Sequence, residues 1–267
     1  MIDYQGKTVL LTGAASGIGE ATAIALAKRG AQVICADVDA EGVEQTVATI
    51  GEGATAILSD LSAPDAAAQL VDQAYEAAGH LDLIFSNAGI GHRSSLSKEP
   101  FDATDAMAKL FEINFFAGPK IAQAYARHLA KDGRRGRFMV TASENSLSVP
   151  QAVSAGKMTF YGATKHALLV AMEWLRIEQE KAGLLDLHVL LPGAVYTPLV
   201  ARSLPDPSMA PPELELITAE RCAEVALKGM DLDLFYIPTQ AHLLEDMQPR
   251  IKDIEASLKA LEIEKSY

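Results

Sequence analysis

The sequence predicts a doubly wound parallel α/β sheet with helices on both faces, in a single domain over residues 1–267. Two observations carry this. Short apolar runs at residues 8–11, 32–36, 54–58, 81–86, 137–141, 187–191 and 235–237 alternate with segments long enough for crossover helices. Near-continuous apolar runs of this length suit strands buried on both faces. No internal repeat, low-complexity segment or interdomain linker interrupts the alternation.

Composition narrows the function classes. About half of the residues are apolar, enough for a large core. The formal charge of −12 excludes a broad electrostatic footprint for nucleic acid. The run Arg134-Arg135-Gly136-Arg137 is short, sits before a strand and reads as a solvated loop. Cys35 and Cys222 are the only cysteines, which gives neither a disulfide framework nor metal-ligand spacing. The amino terminus has no signal-peptide pattern, and no apolar stretch reaches the ~18–20 residues that span a bilayer. The expectation is a cytoplasmic protein without metal, membrane or nucleic-acid partners.

The first strand runs into Thr12-Gly13-Ala14-Ala15-Ser16-Gly17-Ile18-Gly19, which opens an Ala-rich helix. Glycines allow a tight turn and close approach of a ligand to the backbone. The free amides at the helix start bind phosphate, helped by the helix dipole. A strand–turn–helix context makes Gly13, Ser16, Gly17, Ile18 and Gly19 candidates for a nucleotide pyrophosphate. The second strand ends at Asp37, whose carboxylate suits ribose hydroxyls and repels a 2′-phosphate. Val38 supplies no cation for that phosphate, so the pattern points to NAD rather than NADP. Asp60-Leu61 ends the third strand; Asp60 either addresses the adenine amine or caps the next segment. Asn87-Ala88-Gly89 ends the fourth, where small residues let a cofactor cross the sheet edge or simply form a turn.

Further along, Met107, Leu110, Phe111, Asn114, Gly118, Ile121, Ala122, Tyr125 and Leu129 recur at steps of three and four, predicting one helical face. Asn114 is its polar member and needs hydrogen-bond partners if buried. Tyr161 and Lys165 are four residues apart, and a helix stacks them on one face. A free Tyr titrates near ~10, and an adjacent cation favours the phenolate. The pair is therefore a candidate acid–base catalyst. The helix that follows is apolar beyond one stripe, through Ala171, Met172, Trp174, Leu175 and Ile177, which predicts a subunit interface.

Taken in order, Thr12 through Gly19, Asn87-Ala88-Gly89, Asn114, Ser143, Tyr161 with Lys165, and Pro192-Gly193 resemble the short-chain dehydrogenase/reductase family, over about residues 7–239. The resemblance implies a Rossmann-like fold and hydride transfer between a nicotinamide cofactor and a carbinol carbon. It makes Tyr161 the acid/base, with Lys165 lowering its pKa and contacting the nicotinamide ribose. Ser143 would steady the reacting oxygen, and Asn114 would hold a water in the proton relay. Pro192 and Gly193 would begin the loop beside nicotinamide, with Val195 and Thr197 addressing its carboxamide. A homodimer or homotetramer is also implied. Two features depart from the family: the segment from Ser143 to Tyr161 is long, and Glu144-Asn145-Ser146 replaces the usual small residues. Ser146 and Ser148 therefore compete with Ser143.

Leu147, Val149, Val153, Met158 and Phe160, with a proline-rich loop over about residues 194–217, favour a hydrophobic substrate wall. Arg93, Lys157 and Arg202 are scattered cations that leave an acidic substrate group open. The expected activity is that of an NAD-dependent alcohol dehydrogenase or ketone reductase acting on a hydrophobic, possibly aromatic, secondary alcohol. The alternatives are a cyclic diol or dihydrodiol dehydrogenase, and a catalytically inactive nucleotide-sensing protein.

Overall fold

Strand burial follows the apolar runs. A computed structural model describes residues 1–93, 105–156 and 158–263. Lys157 lies outside the described residues, as does the side chain of Val153. The first half of the chain alternates β1 (Thr8–Thr12), α1 (Gly17–Lys28), β2 (Gln32–Asp37), α2 (Ala40–Ile50), β3 (Ala54–Leu58), α3 (Ala66–Ala78) and β4 (Leu83–Ser86). Then follow α4 (Asp105–Phe111), a π-helical turn (Glu112–Phe116), α5 (Ala117–Asp132), β5 (Gly136–Thr141), α6 (Thr159–Ala182) and β6 (Leu185–Leu191). The remainder comprises β7 (Val195–Tyr196), α7 (Pro198–Ala201), β8 (Ile217–Thr218), α8 (Ala219–Asp231), β9 (Tyr236–Pro238) and α9 (Leu243–Ala260).

Seven strands form one parallel sheet in the order β3-β2-β1-β4-β5-β6-β9. Alternate side chains of each strand feed opposite faces. Leu10, Ile34, Ile84 and Phe138 pack with Leu70 of α3, Ile121 of α5 and Leu168 of α6. Val9, Leu11, Val33, Phe85 and Met139 pack with Leu26 of α1 and Leu227 of α8 on the other face. The strand order reverses between β1 and β4. Crossovers there leave in opposite directions, which opens a crevice at the carboxyl ends of the strands.

Several details differ from the sequence reading. The edge strands β3 and β9 are only partly buried, because an edge has a neighbour on one side alone. The 81–86 run begins pairing at Leu83, while Leu81 is buried ahead of the strand and its carbonyl accepts a 3.0 Å hydrogen bond from the Tyr125 hydroxyl. The expected single helix over Met107–Leu129 is interrupted at Glu112–Phe116, and Asn114 sits inside that π turn. Arg134 and Arg135 lie in an exposed connection, as expected, and pair with Asp82 and Asp186, whereas Arg137 already belongs to β5 and pairs with Asp233. The strands β7 and β8 went unread, since two residues carry no periodicity; they pair in parallel and close the base of the 194–217 loop. Among the described residues, no helix is long and apolar enough to cross a membrane.

Candidate active site

A cavity of about 720 Å³ occupies the crevice. Its wall brings together Gly13, Ser16, Gly17, Ile18, Asp37, Val38, Asp60, Leu61, Asn87, Ala88, Gly89, Ser143, Tyr161, Lys165, Pro192, Gly193, Val195 and Thr197. Gly19 and Asn114 stand behind this wall.

At the nucleotide end, α1 starts at Gly17 after Ser16, whose side chain makes no capping bond. The first amides of α1 therefore carry the positive end of the helix dipole toward the cavity. A Cβ on Gly19 would overlap the Gly13 carbonyl oxygen, so the loop folds back on its helix only with glycine there. Asp37 accepts a 2.9 Å hydrogen bond from the Ala15 amide through Oδ2, and bonds from the Val38 and Asp39 amides through Oδ1. Its carboxylate is thus fixed at the rim of the cavity beside the exposed Val38. Asp60 accepts from the Ser62 amide at 2.9 Å, a local cap that holds its carboxyl below the usual range. These features fit a dinucleotide: unsatisfied helix amides for pyrophosphate and a fixed carboxylate for ribose.

The β4 end is braced by Asn87. Its Nδ2 donates to the carbonyls of Thr12 and Gly13 at 3.2 and 3.3 Å, and its Oδ1 accepts from the Thr141 hydroxyl at 2.8 Å. Asn114 is 2 % exposed. Its Oδ1 accepts from the Ile90 amide at 2.8 Å and its Nδ2 donates to the Ile90 carbonyl at 2.9 Å. The π turn gives this side chain its reach, and both amide ends go to the backbone after β4. Its side chain is therefore engaged in bracing that segment.

Tyr161 and Lys165 share one face of α6 as their spacing requires. Lys165 is buried, donates to the Thr141 carbonyl at 2.8 Å and sits 5.8 Å from the centre of the Tyr161 ring. Burial lowers its pKa to about 8. Burial raises the phenol, with Glu144 adding to the rise, while a hydrogen bond from Ser143 opposes it. Of the three serines that sequence left open, Ser143 is the one bonded to Tyr161. Ser143 Oγ accepts from the Asn145 amide at 3.2 Å, leaving its own hydrogen to donate. Ser146 instead accepts from the Ser143 amide at 3.2 Å, and Ser148 borders a separate groove along α9.

The residues expected beside nicotinamide are held from the carboxyl-terminal side. Pro192 accepts from the Glu144 amide at 2.8 Å, and the Gly193 amide donates to Gln240 Oε1 at 2.8 Å. Val195 is buried in the core through β7, whereas Thr197 begins α7 at the cavity wall. The substrate end is walled by Ala152, Met158, Leu199, Val200, Leu204, Pro211 and Leu214, with Arg93 and Arg202 among them. Sequence reasoning missed Gln240 and His242. Nothing local marks either; only the unusual Glu144 pointed to a polar neighbourhood.

A doubly wound sheet with this crevice and an ordered Ser–Tyr–Lys set defines a class of nucleotide-binding oxidoreductases. The chain belongs to the short-chain dehydrogenase/reductase family: a family model described as short chain dehydrogenase matches residues 7–208. It is 33% identical over 252 residues to a 1-deoxy-11-beta-hydroxypentalenate dehydrogenase of Streptomyces avermitilis, covering 93% of this chain and 88% of that protein. It is 33% identical over 199 residues to a versicolorin reductase of Emericella nidulans, covering 72% and 70%. A short-chain dehydrogenase/reductase from Burkholderia phymatum in complex with NAD superposes with a TM-score of 0.83 at 26% identity, covering 96% and 97%. The family consists of oxidoreductases that act on hydroxyl or keto groups with nicotinamide cofactors.

Gly19→Ala tests the turn. The overlap with Gly13 should shift the loop and weaken binding of a nicotinamide dinucleotide by about tenfold or more, roughly 1.4 kcal/mol, with the fold intact. Calorimetric titration measures this; an unchanged Kd would show that the turn tolerates a side chain.

Proposed function

We propose that this protein is an NAD-dependent alcohol dehydrogenase or ketone reductase acting on a hydrophobic secondary alcohol or its ketone. The observation that carries the reading is the convergence of Ser143, Tyr161 and Lys165 on the apolar end of a cavity whose other end is built for a dinucleotide. The relationship to a dehydrogenase named for an 11-beta-hydroxy compound supports a hydroxyl-bearing substrate. The walls from Met158 and from Leu199 to Leu214 support it further.

Nicotinamide, when bound, supplies the hydride acceptor for oxidation and the donor for reduction. The amides at the start of α1 would hold the pyrophosphate, Asp37 would take the adenosine ribose hydroxyls, and Lys165 would take the nicotinamide ribose. In oxidation, Tyr161 as phenolate accepts the alcohol proton, and the free hydrogen of Ser143 donates to the reacting oxygen. In reduction, Tyr161 as phenol returns the proton. Lys165 remains cationic beside the phenolate and stabilises it. Asn114 braces the backbone against which this pair packs. The exposed stripe Val170, Trp174 and Ile177 on α6 supports a homo-oligomer, a dimer or a tetramer.

Tyr161→Phe should lower turnover by roughly 10²–10⁴ while leaving NAD affinity in place; near-wild-type NADH formation across an alcohol panel would sink the mechanism. Asp37→Ser with Val38→Arg should move the kcat/KM ratio toward NADP by removing a repulsive carboxylate and adding a phosphate partner. A wild-type protein that already prefers NADP contradicts the assignment. Trp174→Glu should convert the assembly to smaller species in sedimentation at micromolar concentration; a monomeric wild type contradicts the oligomer.

A further inference from the structure

Glu144 is the residue after Ser143, and its carboxylate is buried. His242, just before α9, donates to it at 2.8 Å through Nε2. This pair is a junction of four segments. Its Glu144 end follows the catalytic serine, and a Cβ on Gly193 would stand 2.7 Å from Glu144 Oε2, so the nicotinamide loop presses against the carboxylate. His242 Nδ1 lies 3.2 Å from Glu215 Oε2 at the end of the substrate loop. Asp246 on α9 lies 3.9 Å from His242 Nε2 and accepts from the Gln151 amide at 3.2 Å.

The charges around the junction are unequal. Glu144, Glu215 and Asp246 face His242, and among the described residues no lysine or arginine pairs with Glu144. Arg250 of α9 is directed elsewhere, to the Leu147 carbonyl and His166. Glu144, Tyr161 and Lys165 line the same cavity, and the Glu144 charge acts upward on the phenol. His242 is thus the cation that balances a buried carboxylate beside the reacting phenol.

We propose that Glu144 and His242 are positioning residues for the reaction, a buried ion pair that ties the start of α9 to the catalytic loop and sets the charge felt by Tyr161. The proposal rests on Tyr161 being the acid/base. Its direction follows from the surroundings. Burial raises Glu144, with the His242 bond opposing. For His242, burial acts downward, but the hydrogen bond to Glu144 and the charges of Glu144 and Glu215 outweigh it and raise the imidazole. The protonated imidazole therefore persists above its ordinary range. While it does, the Glu144 charge is compensated and the phenolate at Tyr161 is less opposed.

The test is the pH profile of oxidative kcat/KM with NAD and the fastest alcohol of a broad panel. Glu144→Gln keeps an acceptor for His242 and removes the negative charge, so the limb should move to lower pH by about half a unit or more. His242→Gln keeps a donor to Glu144 and removes the positive charge, so the limb should move to higher pH. A purely structural tie would lower kcat in both variants without opposite displacements. Limbs that stay in place, or move the same way, overturn the proposal. If Glu144→Gln does not fold, judged by circular dichroism, His242→Gln alone decides: an upward shift supports the pair and none overturns it. Tyr161→Phe, run in parallel, separates the two claims. Full turnover there removes the tyrosine reading itself, whereas its loss combined with unshifted limbs removes only the role of the pair.

Discussion

A buried ammonium with no carboxylate partner among the described residues is the constraint on which this site depends. Lys165 has left water and donates a hydrogen bond to the Thr141 carbonyl at 2.8 Å. Desolvation disfavours the cation, which is why its pKa falls to about 8. The same desolvation disfavours the Tyr161 phenolate. Each group is therefore costly to ionise alone and favourable to ionise beside the other. A pair of this kind loses its first proton as a unit, with the charge-separated form stabilised by proximity.

The rest of the fold holds that pair against the cofactor crevice. Thr141 ends β5, and its hydroxyl donates to Asn87 at the end of β4. Asn87 in turn donates to Thr12 and Gly13 at the end of β1. A continuous set of hydrogen bonds thus runs from Lys165 to the glycine-rich turn, across three adjacent strands. Asn114 clamps Ile90 from the outside, and the π turn in its helix makes that possible. Such turns collect at functional sites because they redirect one side chain without breaking the helix.

Local features were legible in the sequence. The strand–turn–helix at Gly13 to Gly19, the carboxylate at Asp37 and the four-residue spacing of Tyr161 and Lys165 are each set within one or two elements. Features that depend on distant partners were not. Steps of three and four pass through the π turn at Asn114 without a visible fault, because its apolar neighbours remain on the buried side. The ion pairs of Arg134, Arg135 and Arg137 could not be read because their aspartate partners lie far along the chain. His242 carries no motif, and only the fold brings it to Glu144. Burial of the Tyr161 phenol was not visible either. Spacing reveals the neighbouring cation but not the desolvation that both groups share.

The most direct measurement is an NMR titration of ring-labelled tyrosine in the wild-type protein and in Lys165→Met, each in complex with NAD. Lys165 stabilises the phenolate in this account, so Tyr161, identified by its loss in Tyr161→Phe, should ionise at lower pH in the wild type than in Lys165→Met. Equal ionisation in the two proteins would contradict the coupling on which the proposed chemistry stands.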